Sequence, residues 1–410
     1  MADFATKLER YAALAIEVGV NVQPGQTLVI TASLDAAPFV RQAVRKAYAA
    51  GARMVHVEWN DDEVTRIRYD MAPADSFKEY PMWRAKGFEE MAANGAAFLS
   101  LTSSDPDLLR GVDPQRIADA RKAAGLALQN YRNYIMADKV SWSVLAVPSP
   151  GWARKVFPDL DPDKAVEALW EAIFAATRVT GEDPVRAWRE HLRRLEEKAA
   201  ILNDRKYRLL RFRGPGTDLT VELPPEHLWV SGGSVNEKGV PFVANMPTEE
   251  VFTAPLKGGV NGTVRATKPL SYGGTLIRDF SFTFRDGKIV DVKAEQGLET
   301  LKKLIDTDEG SAYLGEVALV PHSSPISRTN LVFYNTLFDE NASCHLAIGD
   351  GYAFCMEGGR DKSKDELAKI GLNKSIVHVD FMIGSAETDI DGVRPDGTVD
   401  ALFRGGEWAF

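Results

Sequence analysis

The sequence predicts an α/β protein in two parts: an N-terminal α/β domain with a mostly parallel sheet, residues 1–205, and a β-rich α+β C-terminal domain, residues 206–410. Three observations predict it. Helix-like and strand-like patterns alternate through the first half. Past residue 205 the texture turns to short strands with frequent Gly and Pro, and three of the six histidines fall in the last quarter among unusual acidic positions. In order, a helix is expected over residues 4–18, and Pro24-Gly25 turns into a strand at 27–31. A helix at 37–50 and a strand at 53–58 follow. Further strands are expected at 97–102 and 142–147, with helices at 114–124 and 164–177. Such alternation builds a parallel sheet flanked by helices. A long, charge-laced helix at 185–202 leads to Asn203-Asp204, where the halves meet. Strands are then expected at 207–212 and 217–223 around Gly214-Pro215-Gly216. Residues 280–284 and 289–292 alternate apolar side chains around Asp286-Gly287, a strong hairpin signal.

Composition excludes several classes. A chain of 410 residues is long enough for two cores, and 45% apolar with 26% charged residues is ordinary for a soluble globular protein. The net charge of −9 argues against a nucleic-acid partner, which wants a basic face. No apolar run approaches the roughly 18 residues of a membrane span, and the N-terminus lacks the pattern of a signal peptide. The two cysteines, Cys344 and Cys355, fit a reducing compartment and exclude a disulfide framework. The expectation is a soluble cytoplasmic enzyme.

Familiar site motifs are missing: no phosphate loop, no G-x-G-x-x-G, no G-x-S-x-G elbow, no His-Glu-x-x-His and no Cys-x-x-Cys. His378-Val379-Asp380 is the informative feature. In a strand, residues two apart leave the same face, so imidazole and carboxylate project together from an apolar segment, residues 375–381. The pair also fits a surface strand with two outward polar residues, so its company decides. Glu316 lies among apolar neighbours and wants a strong partner. Glu250 follows Glu249 into a strand, and the two would face opposite ways. Glu340 and His345 are five residues apart, so a structured loop would have to bring them together. Tyr352, after Gly349-Asp350-Gly351, could aim its phenol into a cleft. His56, His191 and His227 have no acidic partner in a rigid local setting, and Asp389-Ile390-Asp391-Gly392 reads as turns rather than a Ca²⁺ loop. An iron facial triad needs a further histidine, and none follows Asp380. Several carboxylates with two histidines suit two adjacent cations instead, about 3.5–4 Å apart in two-metal hydrolases.

At these segments the chain resembles the thermophilic metallo-aminopeptidases, the family typified by aminopeptidase T. The resemblance rests on residues 245–255, 314–326, 337–345 and 378–384, in order, and extends over nearly the whole chain. It implies metal ligands at Glu250, Glu316, Glu340, His345, His378 and Asp380, with Tyr352 lining the site. Two divalent ions per chain (Zn, Co, Mn or Mg), homodimers and release of the N-terminal residue from peptides with a free N-terminus are implied as well. On that reading Glu316 is the general base and Tyr352 the donor to the oxyanion. His322 stays a turn residue and Cys344 a buried thiol pointing away from His345. A two-metal phosphoesterase, which should add basic residues for phosphate, and a non-enzymatic ligand-binding α/β protein are the alternatives.

Overall fold

The computed structural model describes residues 2–410. It divides into two compact units: the chain up to His191 with Gly233–Pro247, and Leu192–Gly232 with Thr248–Phe410. A single cut near residue 205 does not describe this division. The cause of the excursion is backbone pairing: strands Gly233–Val235 and Pro241–Val243 form a hairpin, and the Val144 N–H donates to the Ala244 carbonyl at 2.7 Å. At the other end, Leu195, Ala199 and Leu202 of helix Pro184–Arg205 belong to the second unit's core.

The first unit is built on four parallel strands in the order Met54–Asn60, Thr27–Ser33, Ala97–Thr102, Trp142–Ala146. Leu28, Val29 and Ile30 are buried together on the inner strand, as expected of a strand covered on both faces. Helix Phe4–Leu14 shows why the periodicity works. Asp3 caps it by accepting the Thr6 N–H, and Leu8, Tyr11 and Leu14 form its buried stripe. Tyr11 then donates its hydroxyl to the Ala146 carbonyl at 3.0 Å. Among the described residues no helix is long and apolar enough to cross a membrane.

The second unit is mostly antiparallel. A nine-stranded sheet includes the expected hairpin, Thr275–Arg285 with Lys288–Gln296, turned at Asp286 and Gly287, both with positive φ. A five-stranded sheet follows the order His378–Met382, His345–Gly349, Leu314–Leu319, Val251–Thr253, Val230–Ser231. One core joins the two sheets, with Phe212, Phe282, Leu319, Leu346 and Phe381 among its members.

Gly349 ends one strand of the five with φ 109°, and a Cβ there would lie 2.0 Å from the Val377 carbonyl oxygen. Gly349→Ala is therefore expected to destabilise the fold by about 1–3 kcal/mol. A melting temperature equal to that of the parent chain would refute the constraint.

Candidate metal centre

Strand alternation sorts this five-stranded sheet into two chemically distinct faces. Val251, Val317, Leu319, Leu346, Ile348 and Phe381 face the core. Val377 and Val379 pack against the same core, and Glu250, Glu316, His345, His378 and Asp380, each next in the chain to one of these apolar residues, take the opposite face. Pairing lines them up. Glu316 lies opposite Ala347, which lies opposite Asp380, while Ala318 faces His345 and Gly349 faces His378. The small residues in these rows leave room for the long polar side chains beside them. A register shift between Leu314 and Glu316 sets the aim of Glu316.

The side chains converge. His345 Nε2 lies 3.2 Å from Glu250 Oε2 and 3.4 Å from Glu316 Oε1. His378 Nε2 lies 3.5 Å from Glu316 Oε2 and 3.4 Å from Asp380 Oδ1. Glu316 thus presents one oxygen to each imidazole. The other ring nitrogens are oriented by main-chain carbonyls: His345 Nδ1 donates to Ser343 at 3.2 Å and His378 Nδ1 to Asp350 at 2.8 Å. That arrangement turns both Nε2 atoms toward the carboxylates, to which they donate when protonated, and makes them the ring nitrogens that could bind a cation when deprotonated. Two groups have ligand atoms mutually close enough for one ion, Glu250–Glu316–His345 and Glu316–His378–Asp380. Glu340 stands outside both, in the helical turn Glu340–Ala342, with Asn341 Nδ2 donating to it at 3.4 Å.

Charge crowding shows in the proton affinities. Burial raises Glu316, and the imidazoles of His345 and His378 offset it only in part. Burial lifts Glu340 well above the ordinary carboxyl range, and the charges of Asp380 and Glu250 add to it. Burial alone would lower the histidines, yet Glu250 and Glu316 hold His345 high, and Asp380 with Glu316 brings His378 to about 10. Burial acts to raise Asp380, but its contact with His378 wins and lowers it. Tyr352 packs its ring 4.8 Å from that of His378 and stacks on Phe354 at 5.1 Å. Burial, reinforced by Glu316, keeps its phenol protonated.

The family model of thermophilic metalloproteases (M29) matches residues 4–408. The chain belongs to the M29 family. Aminopeptidase AmpS of Bacillus subtilis (strain 168) is 58% identical over 410 residues, covering all of both chains. Aminopeptidase T of Thermus thermophilus is 46% identical over 405 residues, 99% of each. The solved structure titled wild-type AmpT from Thermus thermophilus superposes with a TM-score of 0.94 at 45% identity, covering all of both chains.

For this M29 chain the structure brings Glu250, Glu316, His345, His378 and Asp380 into contact, with Tyr352 beside them. Cys344 points away from His345, buried, with its thiol donating to the Val320 carbonyl at 3.3 Å. His322 lies in a turn, with Ser327 Oγ 3.4 Å from its ring. Asp391, in the strand Asp389–Val393, pairs with Arg404 rather than forming a cation loop. One residue escaped sequence reasoning. The fully buried Asn341 accepts the Glu249 N–H at 2.7 Å and donates to the Leu337 carbonyl at 3.2 Å. It thereby ties the Glu250 segment to the Glu340 segment. Its only signal in sequence was an amide directly after a candidate ligand. Asn341→Ala leaves the Glu249 N–H without its acceptor, and a loss of about 1–3 kcal/mol is expected in denaturant unfolding. An unchanged unfolding midpoint would remove Asn341 from this role.

Proposed function

We propose that the chain is a metal-dependent aminopeptidase that releases the N-terminal residue of peptides with a free N-terminus, using two divalent cations held by Glu250, Glu316, Glu340, His345, His378 and Asp380. The observation that carries this reading is the Glu316 carboxylate, shared between two donor groups with one oxygen toward each imidazole. Charge supports two ions. Glu250, Glu316, Glu340 and Asp380 bring four negative charges, which two divalent cations balance when both imidazoles are neutral. The mixed nitrogen and oxygen donors suit Zn, Co, Mn or Mg. The names of the relatives support the reaction itself.

Cations bound there would polarise the scissile carbonyl and acidify a water toward neutral pH. The residues do the rest. Tyr352, kept protonated, donates a hydrogen bond to the oxyanion that develops on the carbonyl oxygen. Glu316 was the expected base, but both its oxygens already face imidazole nitrogens. Glu340 faces none at that distance in either donor group and has a raised proton affinity. It is the better carrier of a proton from water to the leaving amine. Asp380 and Glu250 fix the imidazoles from the outer side of each group.

A cytoplasmic setting is supported by the two free, buried thiols. A homodimer is supported by Val64, Ile67 and Met71, an apolar stripe 55–79% exposed on helix Asp62–Met71.

Activity on aminoacyl-anilides is expected to vanish on chelation and return with added Zn, Co, Mn or Mg, while N-acetylated peptides resist cleavage. Equal cleavage of blocked and free peptides, or full activity in chelator, would overturn the reading. Glu316→Gln should lose bound metal as well as turnover. Glu340→Gln should keep more metal than Glu316→Gln yet lose turnover by about 10²–10⁴-fold. Near-parental turnover in Glu340→Gln would return the base role to Glu316.

A further inference from the structure

A cleft open to solvent, with about 40 Å³ of enclosed space, adjoins Glu340 and Asp380 on the side of the site away from the carboxylate contact of His345 with Glu250. Its floor is Leu270 and Met382, both buried, and its rim carries Ser271 and Thr336, both exposed. Met382 lies two residues beyond Asp380 on the same strand, so the two side chains share a face and the floor continues the proposed metal site. Tyr334 forms the remaining wall, and it is built with care. Its backbone is left-handed, φ 55°, an uncommon state for a bulky residue. The Asp339 carboxylate imposes it, accepting the Phe333 N–H at 2.7 Å and the Asn335 N–H at 3.0 Å on either side. Strain of this kind persists only where the surroundings impose it, and it concentrates at binding sites.

We propose that this cavity takes the side chain of the substrate's N-terminal residue and that Tyr334 sets how large that side chain can be. The proposal rests on the aminopeptidase reading. In an N-terminal residue the free amine, the side chain and the scissile carbonyl share one Cα. A carbonyl delivered to the groups around Glu316 therefore places its side chain in the space next to Asp380 and Glu340. The apolar floor takes neutral aliphatic side chains. Asp339 lines the cleft and is not among the proposed cation ligands, so its carboxylate disfavours Asp and Glu at that position. The preferred substrates are thus peptides with a neutral N-terminal residue of limited size.

The test compares kcat/KM for Ala-, Leu-, Phe- and Glu-p-nitroanilide on the metal-loaded chain and two variants. Tyr334→Asn opens the cavity while keeping a residue that tolerates the left-handed backbone. It should raise the Phe-to-Ala ratio by about tenfold or more. Ser271→Phe narrows the rim from a different segment and should lower the Leu-to-Ala ratio by a similar factor. If one variant fails to fold by circular dichroism, the other carries the test. Ratios that stay at parental values, or a parental chain that cleaves Glu-anilide as well as Leu-anilide, overturn the cavity assignment alone. A parental chain that cleaves none of the four overturns the aminopeptidase reading, and this proposal with it.

Discussion

Crowded negative charge on one face of a five-stranded sheet is the constraint on which the rest of this molecule depends. Glu250, Glu316, Glu340 and Asp380 are mostly removed from water, and enclosing a carboxylate is costly unless a cation or a donor meets it. Two imidazoles cannot meet four carboxylates: even with both protonated, the group carries two uncompensated negative charges. The raised proton affinities of Glu316, Glu340, His345 and His378 are the same imbalance seen through protons. On the proposed two-ion reading, a pair of divalent cations would remove it with the histidines neutral, the form in which a ring nitrogen offers a lone pair. The donor geometry and the charge count both suit divalent metal.

Holding such a face together needs a stiff support behind it. The reverse sides of the same strands supply that support, with Val317, Leu319, Leu346, Ile348 and Phe381 in one continuous core with the aromatic residues of the larger sheet. Burying each such side chain contributes roughly 1.5–3 kcal/mol, which the polar face could not supply for itself. Small residues then decide where space remains. Ala347 sits between Glu316 and Asp380 in the pairing, and Gly315 approaches the Asp350 carbonyl so closely that a Cβ would lie 2.2 Å from its oxygen. That same Asp350 carbonyl receives the His378 Nδ1–H, so the tight backbone approach and the ring orientation are one feature.

Periodicity made part of this legible. His378 and Asp380 share a face because the strand period is two, and Glu316 stood out as a charge in a strand buried at every position. Register was not legible, because nothing local states that Glu316 pairs with Ala347 or that Ala347 pairs with Asp380. The strand expected from residue 375 begins at His378 instead. The Ser375 N–H is taken by Asp350 at 3.0 Å and the Ile376 N–H by Asp308 at 2.7 Å, so those residues are held outside the ladder. Helix Asp62–Met71, absent from the expected elements, buries no side chain. The return of residues 233–247 to the first unit was hidden for the reason that hid the register. It depends on pairing with Val144, about a hundred residues away in sequence.

The placement of sulfur completes the chemical logic of the site. Both cysteines lie close to it in sequence or space, and a thiolate would turn a hard donor set toward softer metals. Strand parity removes Cys344, which neighbours His345 but faces the core, where burial brings its thiol up to about 11. Cys355 is nearer the charged face. Burial first, then the fields of Glu316 and Glu250, hold its proton far above the usual thiol range. The carboxylates that make the site attractive to cations therefore also keep the neighbouring thiol neutral. Oxygen and imidazole nitrogen are left as the donors, a set compatible with ions that activate water without changing oxidation state.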